Sequence, residues 1–245
     1  IGVDIPRVTM ANWMIQVGIL IQPLINLLRD RILEYDIIQM DETTVQVLKE
    51  PDKKAQSKSY IWLQRGGPPD KPVVLYDYDP GRSAEVPKRL LGDFKGYLQT
   101  DAYSGYNAVV AVNGLTRLGC MAHARRKFTD AVKAQGRNRK RGRAHRGLSL
   151  IRKLYRVEGQ GRKLTADERY ARRQKYARPV VDEMRSWLVD ALPQVPPNSA
   201  TGKALTMFTA PPIAFLPYRV PWGPRNTSIR SRSNTLISMV DIRPI

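Results

Sequence analysis

The chain has 245 residues, with 41 Lys and Arg against 22 Asp and Glu, and its formal net charge is +19 at pH 7. Its single cysteine, Cys120, excludes an intrachain disulfide, so we expect a reducing, cytoplasmic environment. The most apolar stretch, Met10 to Leu28, is interrupted by Asn, Gln and Pro residues, and we therefore expect no membrane span and no secretory signal.

The positive charge is concentrated in one part of the chain. Residues 117–178 contain 21 Lys and Arg against four acidic residues, which accounts for 17 of the 19 net charges. Such a block favours a polyanionic partner, because each phosphate that is neutralised releases counterions. The alternative is a solvated basic face without a partner.

Apolar residues at helical spacing predict a helix from about Thr9 to Leu33, with Thr9 as its N-cap. Pro23 should kink this helix or divide it. We expect residues 1–34 to form a scaffold helix that packs on the following domain, with Trp13 in the core.

The next segments predict alternating strands and helices in residues 35–134. The predicted elements are strands at 35–47, 59–64 and 72–78, a helix at 83–94, a strand at 96–100, a helix at 104–112, a strand at 115–120 and a helix at 122–134. Three strands joined by short turns indicate an antiparallel meander. The whole order is that of the α/β ribonuclease-H-like fold, a mixed sheet flanked by helices, in which the first and fourth strands are neighbours.

Two aspartates follow buried strands in this layout. Asp41 comes directly after Ile37–Met40, and Asp101 follows the strand that ends at Thr100. Carboxylates on neighbouring strands would meet, and oxygen ligands suit Mg²⁺ or Mn²⁺, which support phosphodiester chemistry. The alternative for Asp41 is a capping or pairing role at a strand end.

Residues 135–206 predict a helical insertion that carries the basic block, with a loop or irregular helix start up to 161 and helices at 148–157 and 166–188. Guanidinium and ammonium groups bind phosphate, and the candidate DNA contacts are Arg125, Arg126, Lys127, Arg137, Arg139, Lys140, Arg141 and Arg143. His123 is a candidate contact to DNA phosphate or to a metal-bound water, with a structural role as the alternative. Cys120 and His123 alone are too few ligands for zinc.

Residues 207–245 contain six prolines, no lysine and one acidic residue, Asp241. No helical or strand period extends over more than a few residues. We interpret this tail as irregular, either disordered or translated out of its ancestral frame.

Three segments together resemble a known family. MDETTVQVL from Met40, TDAYSGYN from Thr100 and CMAHARRKF from Cys120 are similar to the DDE transposases of the insertion-sequence-66 family, and the resemblance covers about residues 1–206. It implies that Asp41 and Asp101 are the first two acids of a metal-binding triad. It also implies Mg²⁺ or Mn²⁺ as cofactor, transposon ends and target DNA as partners, and a homo-oligomer on DNA.

The chain departs from the family pattern at the third acid, a glutamate that no residue from Met207 onward matches. Glu183, in VDEMRSWL, is expected to lie in the inserted helices instead. Two hypotheses follow. The chain is the catalytic domain of a DNA transposase, or it is an inactive DNA-binding remnant truncated or frameshifted near residue 206. A different nuclease of the same fold is disfavoured by the three motifs.

Overall fold

The computed structural model describes residues 2–68, 70–135 and 141–208. The predicted DNA contacts Arg137, Arg139 and Lys140 lie outside these residues, as does the predicted tail from residue 209 onward.

A five-stranded mixed sheet forms the first half of the molecule. Its strands are β1 (Ile37–Gln46), β2 (Lys58–Gly66), β3 (Val73–Asp79), β4 (Tyr97–Thr100) and β5 (Thr116–Gly119). The spatial order is β3-β2-β1-β4-β5, with β1, β2 and β3 antiparallel. β4 runs parallel to β1, and β5 runs parallel to β4. The prediction that the first and fourth strands are neighbours is therefore confirmed.

Eight α-helices are described. They are α1 (Arg7–Leu33), α2 (Glu85–Leu91), α3 (Asn107–Asn113), α4 (Met121–Ala134), α5 (Arg143–Gln160), α6 (Ala166–Arg172), α7 (Arg178–Ala191) and α8 (Ala200–Thr206). A π-helical segment, Arg173–Ala177, joins α6 to α7. The helix predicted at 148–157 is longer than expected, because α5 begins at Arg143, within the segment predicted as a loop or irregular helix start.

One face of the sheet packs against helices. Side chains alternate along a strand, so Ile38 and Met40 of β1 point to the same face as Trp62 of β2 and Leu98 of β4. These buried side chains form one core with residues of α2 and α3. The opposite face is open at β3, where Val74, Tyr76 and Tyr78 are exposed.

The first helix corrects the prediction of a packed scaffold. α1 is continuous through Pro23 and begins after Pro6, so Thr9 is not its N-cap. Only its C-terminal part packs on the sheet core, through Ile25, Leu28 and Ile32. Trp13 is 55% exposed and is not a core residue. α1 is long and apolar enough to cross a membrane, by length and composition only, which its interrupting polar residues did not lead us to expect. Core helices of soluble proteins and signal sequences pass the same test, so this is weak evidence.

The second half of the molecule has its own hydrophobic core. α4, α5, α7 and α8 bury a cluster that includes Phe128, Leu150, Met184 and Trp187. Phe208 also packs in this cluster, with its ring centroid 5.5 Å from that of Phe128. Met207 and Phe208 form a turn that follows α8 and still contacts this core, and the rest of the predicted tail lies outside the described residues.

Candidate active site

The two candidate aspartates lie on or directly after neighbouring strands, Asp41 on β1 and Asp101 after the end of β4. In the parallel pair of β1 and β4, Gln39 is opposite Gln99, and Asp41 and Asp101 each follow two residues later. If the alternation of side chains continues past the end of β4, both carboxylates point to one face, and Asp101 is close enough to raise the pKa of Asp41. Strand pairing thus brings together two residues that are sixty positions apart in sequence.

Asp41 lies beside the N-terminal turn of α4. Its Oδ2 atom is 3.4 Å from Nε2 of His123, and its Oδ1 atom accepts a hydrogen bond of 3.0 Å from the backbone N–H of Glu42. Burial raises the pKa of the Asp41 carboxyl, and the positive charge of His123 offsets part of this effect. Asp41 is therefore held in place and partly desolvated, as a functional carboxylate requires.

His123 interacts with Cys120 as well as with Asp41. A hydrogen bond to Cys120 raises the pKa of His123, burial opposes this, and the charges of Asp41 and Asp101 raise it further. Burial acts to raise the pKa of the Cys120 thiol, but the interactions with His123 outweigh it and the thiol pKa is lowered. The short segment 120–123 therefore carries a polarised pair next to the aspartates.

Asp101 belongs to a loop that Arg117 of β5 holds in place. The backbone carbonyls of Asp101 and Tyr103 accept hydrogen bonds of 2.8 and 2.7 Å from the Arg117 guanidinium. The Asp101 carboxylate accepts one of 2.9 Å from the Tyr103 N–H. Arg117 is only 8% exposed, and burial lowers its pKa. Its role is to position the loop that presents Asp101.

Glu42 occupies the opposite side of β1 from Asp41, and no sequence motif singled it out as a supporting residue. Its side chain is 2% exposed. One carboxylate oxygen accepts a hydrogen bond of 2.6 Å from the Tyr106 hydroxyl, and the other accepts two from Arg82. Burial raises the pKa of Glu42, and these partners oppose the shift. Because both oxygens are engaged, Glu42 supports the site and does not complete a ligand set.

The donor set fits a hard divalent cation in part. Two carboxylates on neighbouring strands suit Mg²⁺ or Mn²⁺, which bind through one or two carboxylates, substrate phosphates and water. Among residues 2–68, 70–135 and 141–208, no group of three or more His, Cys, Asp and Glu side chains is arranged to hold a metal ion. Asp41 and Asp101 would hold the ion, and a third protein ligand is not found in this part of the chain.

Glu183, the alternative third acid, lies on α7. It pairs with Lys153 at 3.0 Å and with Arg146 at 3.7 Å, both on α5. Its carboxylate is therefore engaged within the helical half of the molecule, in line with the expectation that it belongs to the inserted helices. Asp241 lies outside the described residues.

Apart from His123, whose side chain is 17% exposed, the described candidate DNA contacts are exposed. Arg125, Arg126 and Lys127 project from the first turns of α4, and Arg126 is close enough to Asp41 to lower its pKa. Arg141 precedes α5, and Arg143 begins it with a hydrogen bond to Gln194. Arg126 thus lies near Asp41, whereas Arg125 lies over the ring of Tyr155 on α5. Arg141 and Arg143 belong to the helical half.

The chain is similar in sequence to one protein family and to several curated proteins. Residues 1–216 match the model of the transposase IS66 family. The uncharacterized proteins y4jD, y4qI and y4hP of Sinorhizobium fredii (strain NBRC 101917 / NGR234) are 30%, 29% and 28% identical to it. The matches cover 83%, 83% and 76% of the chain and 41%, 39% and 36% of the three relatives, so it spans less than half of their length.

No solved structure matches the chain. The family match nevertheless covers most of its length and includes both aspartates, the His123 segment and the helical half. The chain belongs to the transposase IS66 family.

Proposed function

We propose that the chain is the core of a DNA transposase that hydrolyses and joins phosphodiester bonds with the help of Mg²⁺ or Mn²⁺. The observation that carries this proposal is the parallel pairing of β1 with β4, in which Gln39 is opposite Gln99, two residues before Asp41 and Asp101. The strand order, with three antiparallel strands followed by two parallel ones, supports a ribonuclease-H-like fold for this core. Transposon ends and target DNA are the proposed substrates, a homo-oligomer on DNA is the proposed assembly, and the cytoplasm is the proposed location.

In this proposal each part of the site has a separate task. Asp41 and Asp101 hold the divalent ion, which when bound activates the attacking oxygen and stabilises the leaving oxygen. Arg117 and the Glu42–Tyr106 hydrogen bond keep the two strands and the Asp101 loop in register. His123 keeps the Asp41 carboxylate oriented. Arg125, Arg126 and Lys127 contact the phosphates of the DNA strand beside the aspartates.

A second candidate function is DNA binding without catalysis. It is favoured by the absence of a third acidic ligand among the described residues and by the engagement of Glu42 and Glu183 in other contacts. Two carboxylates alone would leave the ion poorly positioned, and positioning and charge stabilisation supply most of the catalysis in phosphoryl transfer.

Cleavage and strand transfer on labelled transposon-end DNA in Mn²⁺ distinguish the two candidates. The transposase proposal expects products that Asp101→Asn abolishes and that the exposed control Asp93→Asn retains. Salt-sensitive DNA binding without any product supports the second candidate. Products that persist in Asp101→Asn contradict the assignment of the site.

A further inference from the structure

A pocket lies in the helical half of the molecule. It is an open pocket of about 380 Å³ between α5, the π-helical segment and α7. The residues that matter for its chemistry are Lys153, Arg156, Val157, Arg172, Tyr176 and Val180. This volume is at the lower end of the range for small-ligand sites, roughly 300–1,000 Å³, and suits a group the size of one nucleotide.

The rim of the pocket is positively charged. Lys153, Arg156 and Arg172 contribute three cations, and none of the lining residues is acidic. Lys153 forms a salt bridge of 3.0 Å with Glu183. Arg172 donates hydrogen bonds to uncharged acceptors, the Val157 carbonyl at 3.4 Å and the Gln160 side chain. The rim therefore keeps a net positive charge that favours an anionic ligand.

The pocket also presents an aromatic ring. Tyr176 is 45% exposed, and it lies in the π-helical segment Arg173–Ala177. In the same segment Arg173 is buried and pairs with Glu158, so the π-turn directs a cation inward and leaves the tyrosine at the surface. π-Helical turns of this kind occur frequently at functional sites.

The apolar and charged parts are arranged for a ligand with a flat base and a phosphate. Val157 and Val180 line the pocket together with Tyr176. Two flexible cations lie over the tyrosine ring, the Arg172 guanidinium at 5.0 Å and Nζ of Lys175 at 5.3 Å from its centre. Nucleobases stack on aromatic rings, and cations beside the ring contact the backbone. In a duplex the faces of the bases are covered by their neighbours, so such a ring can stack only on an unpaired base.

We propose that this pocket binds an unpaired nucleotide of single-stranded DNA. The base takes the place of a cation on the Tyr176 ring and packs against the two valines, and Lys153, Arg156 and Arg172 contact the flanking phosphates. The proposal rests on the proposed function in that DNA is the partner, and it adds a strand-state preference that the paired aspartates do not explain.

Fluorescence anisotropy of the chain with three probes of equal length tests this proposal: an oligothymidine, an abasic single strand and a duplex. We expect the oligothymidine to bind more tightly than the abasic strand, by between about fivefold and a hundredfold, because stacking contributes that much per base. Tyr176→Ala and Tyr176→Leu should remove this difference and leave duplex affinity unchanged. Tyr176→Phe should keep it.

Tyr76 on β3 provides a matched control, because it is an exposed tyrosine outside the pocket. Tyr76→Ala should preserve the difference between the oligothymidine and the abasic strand. Equal binding of these two probes by the unmodified chain, or a difference that survives in Tyr176→Leu, overturns the pocket proposal while the DNA partner stands. No binding to any of the three probes contradicts both this proposal and the proposed function.

Discussion

His123 takes part in several interactions at the candidate site. It contacts Asp41 at 3.4 Å and interacts with the Cys120 thiol, and the charge of Asp101 raises its pKa. Its hydrogen bond to Cys120 and the two carboxylates raise its pKa above the ordinary value of 6.5. The protonated imidazolium is therefore favoured in the folded chain, and His123 links the charge of the site to the stability of the fold.

The contribution of His123 to stability should depend on pH. A raised pKa in the folded state contributes stability that is present below the unfolded value near 6.5 and is lost as pH rises through the folded pKa. We expect the loss of unfolding free energy caused by His123→Gln to be greater at pH 6 than at pH 9. Urea unfolding with EDTA present measures it, and a loss that is equal at both pH values, or larger at pH 9, contradicts the assignment.

At the residue scale, the sequence could indicate Asp41 and Asp101 but not their support. Both aspartates follow buried strand residues, which is a local signal. Glu42 is held by Arg82 and Tyr106, which are 40 and 64 positions away, and no local pattern marks such partners. The importance of Arg117 likewise depends on a loop that folds back over it.

At the element scale, the close packing of α4 on α5 depends on a glycine. A Cβ atom at Gly147 would lie 2.6 Å from a ring carbon of Phe128, a separation too short for real Cβ contacts. Phe128 is fully buried and also packs against Trp187 and Phe208. The ring therefore has little room to move, and the small residue at 147 sets the distance between the two helices.

Gly147→Ala should destabilise the helical half. We expect a loss of about 1–3 kcal/mol of unfolding free energy, because overpacking a filled core displaces side chains or backbone. Gly159 provides the control on the same helix, since nothing lies within 4 Å of a Cβ atom there. Gly159→Ala should be neutral or stabilise by up to about 1 kcal/mol through helix propensity. Urea denaturation compares them, and equal effects would contradict the packing account.

Hydrophobic periodicity predicted most strands and helices to within a few residues, and it failed where tertiary context decides. α1 has the spacing of a packed helix, yet Trp13 is exposed because only the last turns of α1 reach the sheet. α8 was not predicted, because it is only seven residues long and contains a glycine, which disfavours a helix. Gly202 is needed there because a Cβ atom would clash with the backbone of Pro196. β1 continues through Asp41 and Glu42, in agreement with the strand predicted at 35–47, although strand propensity alone does not favour these two residues.

At the scale of the whole molecule, the charge is unevenly distributed between two cores. The sheet core carries the aspartates, while the basic block of residues 117–178 runs from β5 through the helical half. Of the α4 cations, Arg126 lies close enough to Asp41 to lower its pKa, and the Arg125 guanidinium lies over the ring of Tyr155 on α5. In the proposed function, this distribution lets a strongly basic chain present a carboxylate pair to a phosphate backbone.

The charge distribution predicts how DNA binding responds to salt. The triple variant Arg125→Gln, Arg126→Gln, Lys127→Gln should reduce the slope of log Kd against log salt by about 0.9 for each phosphate that α4 no longer neutralises. Lys49→Gln, Lys54→Gln, Lys71→Gln removes the same net charge from exposed positions outside the basic block. That control should leave the slope almost unchanged. Equal slopes for the two triple variants would contradict a local DNA contact at α4.

The most direct test of the account is Mn²⁺ binding by the chain, measured as the loss of the free Mn²⁺ signal in electron paramagnetic resonance. We expect Mn²⁺ to bind, and we expect Asp41→Asn and Asp101→Asn each to weaken this binding by at least about tenfold. Residues that only contact a metal ligand already change metal affinity by about 10- to 100-fold. Asp93→Asn, at an exposed position, should bind as the unmodified chain does. Absence of Mn²⁺ binding, or binding that is the same in all four proteins, would contradict a metal site at Asp41 and Asp101.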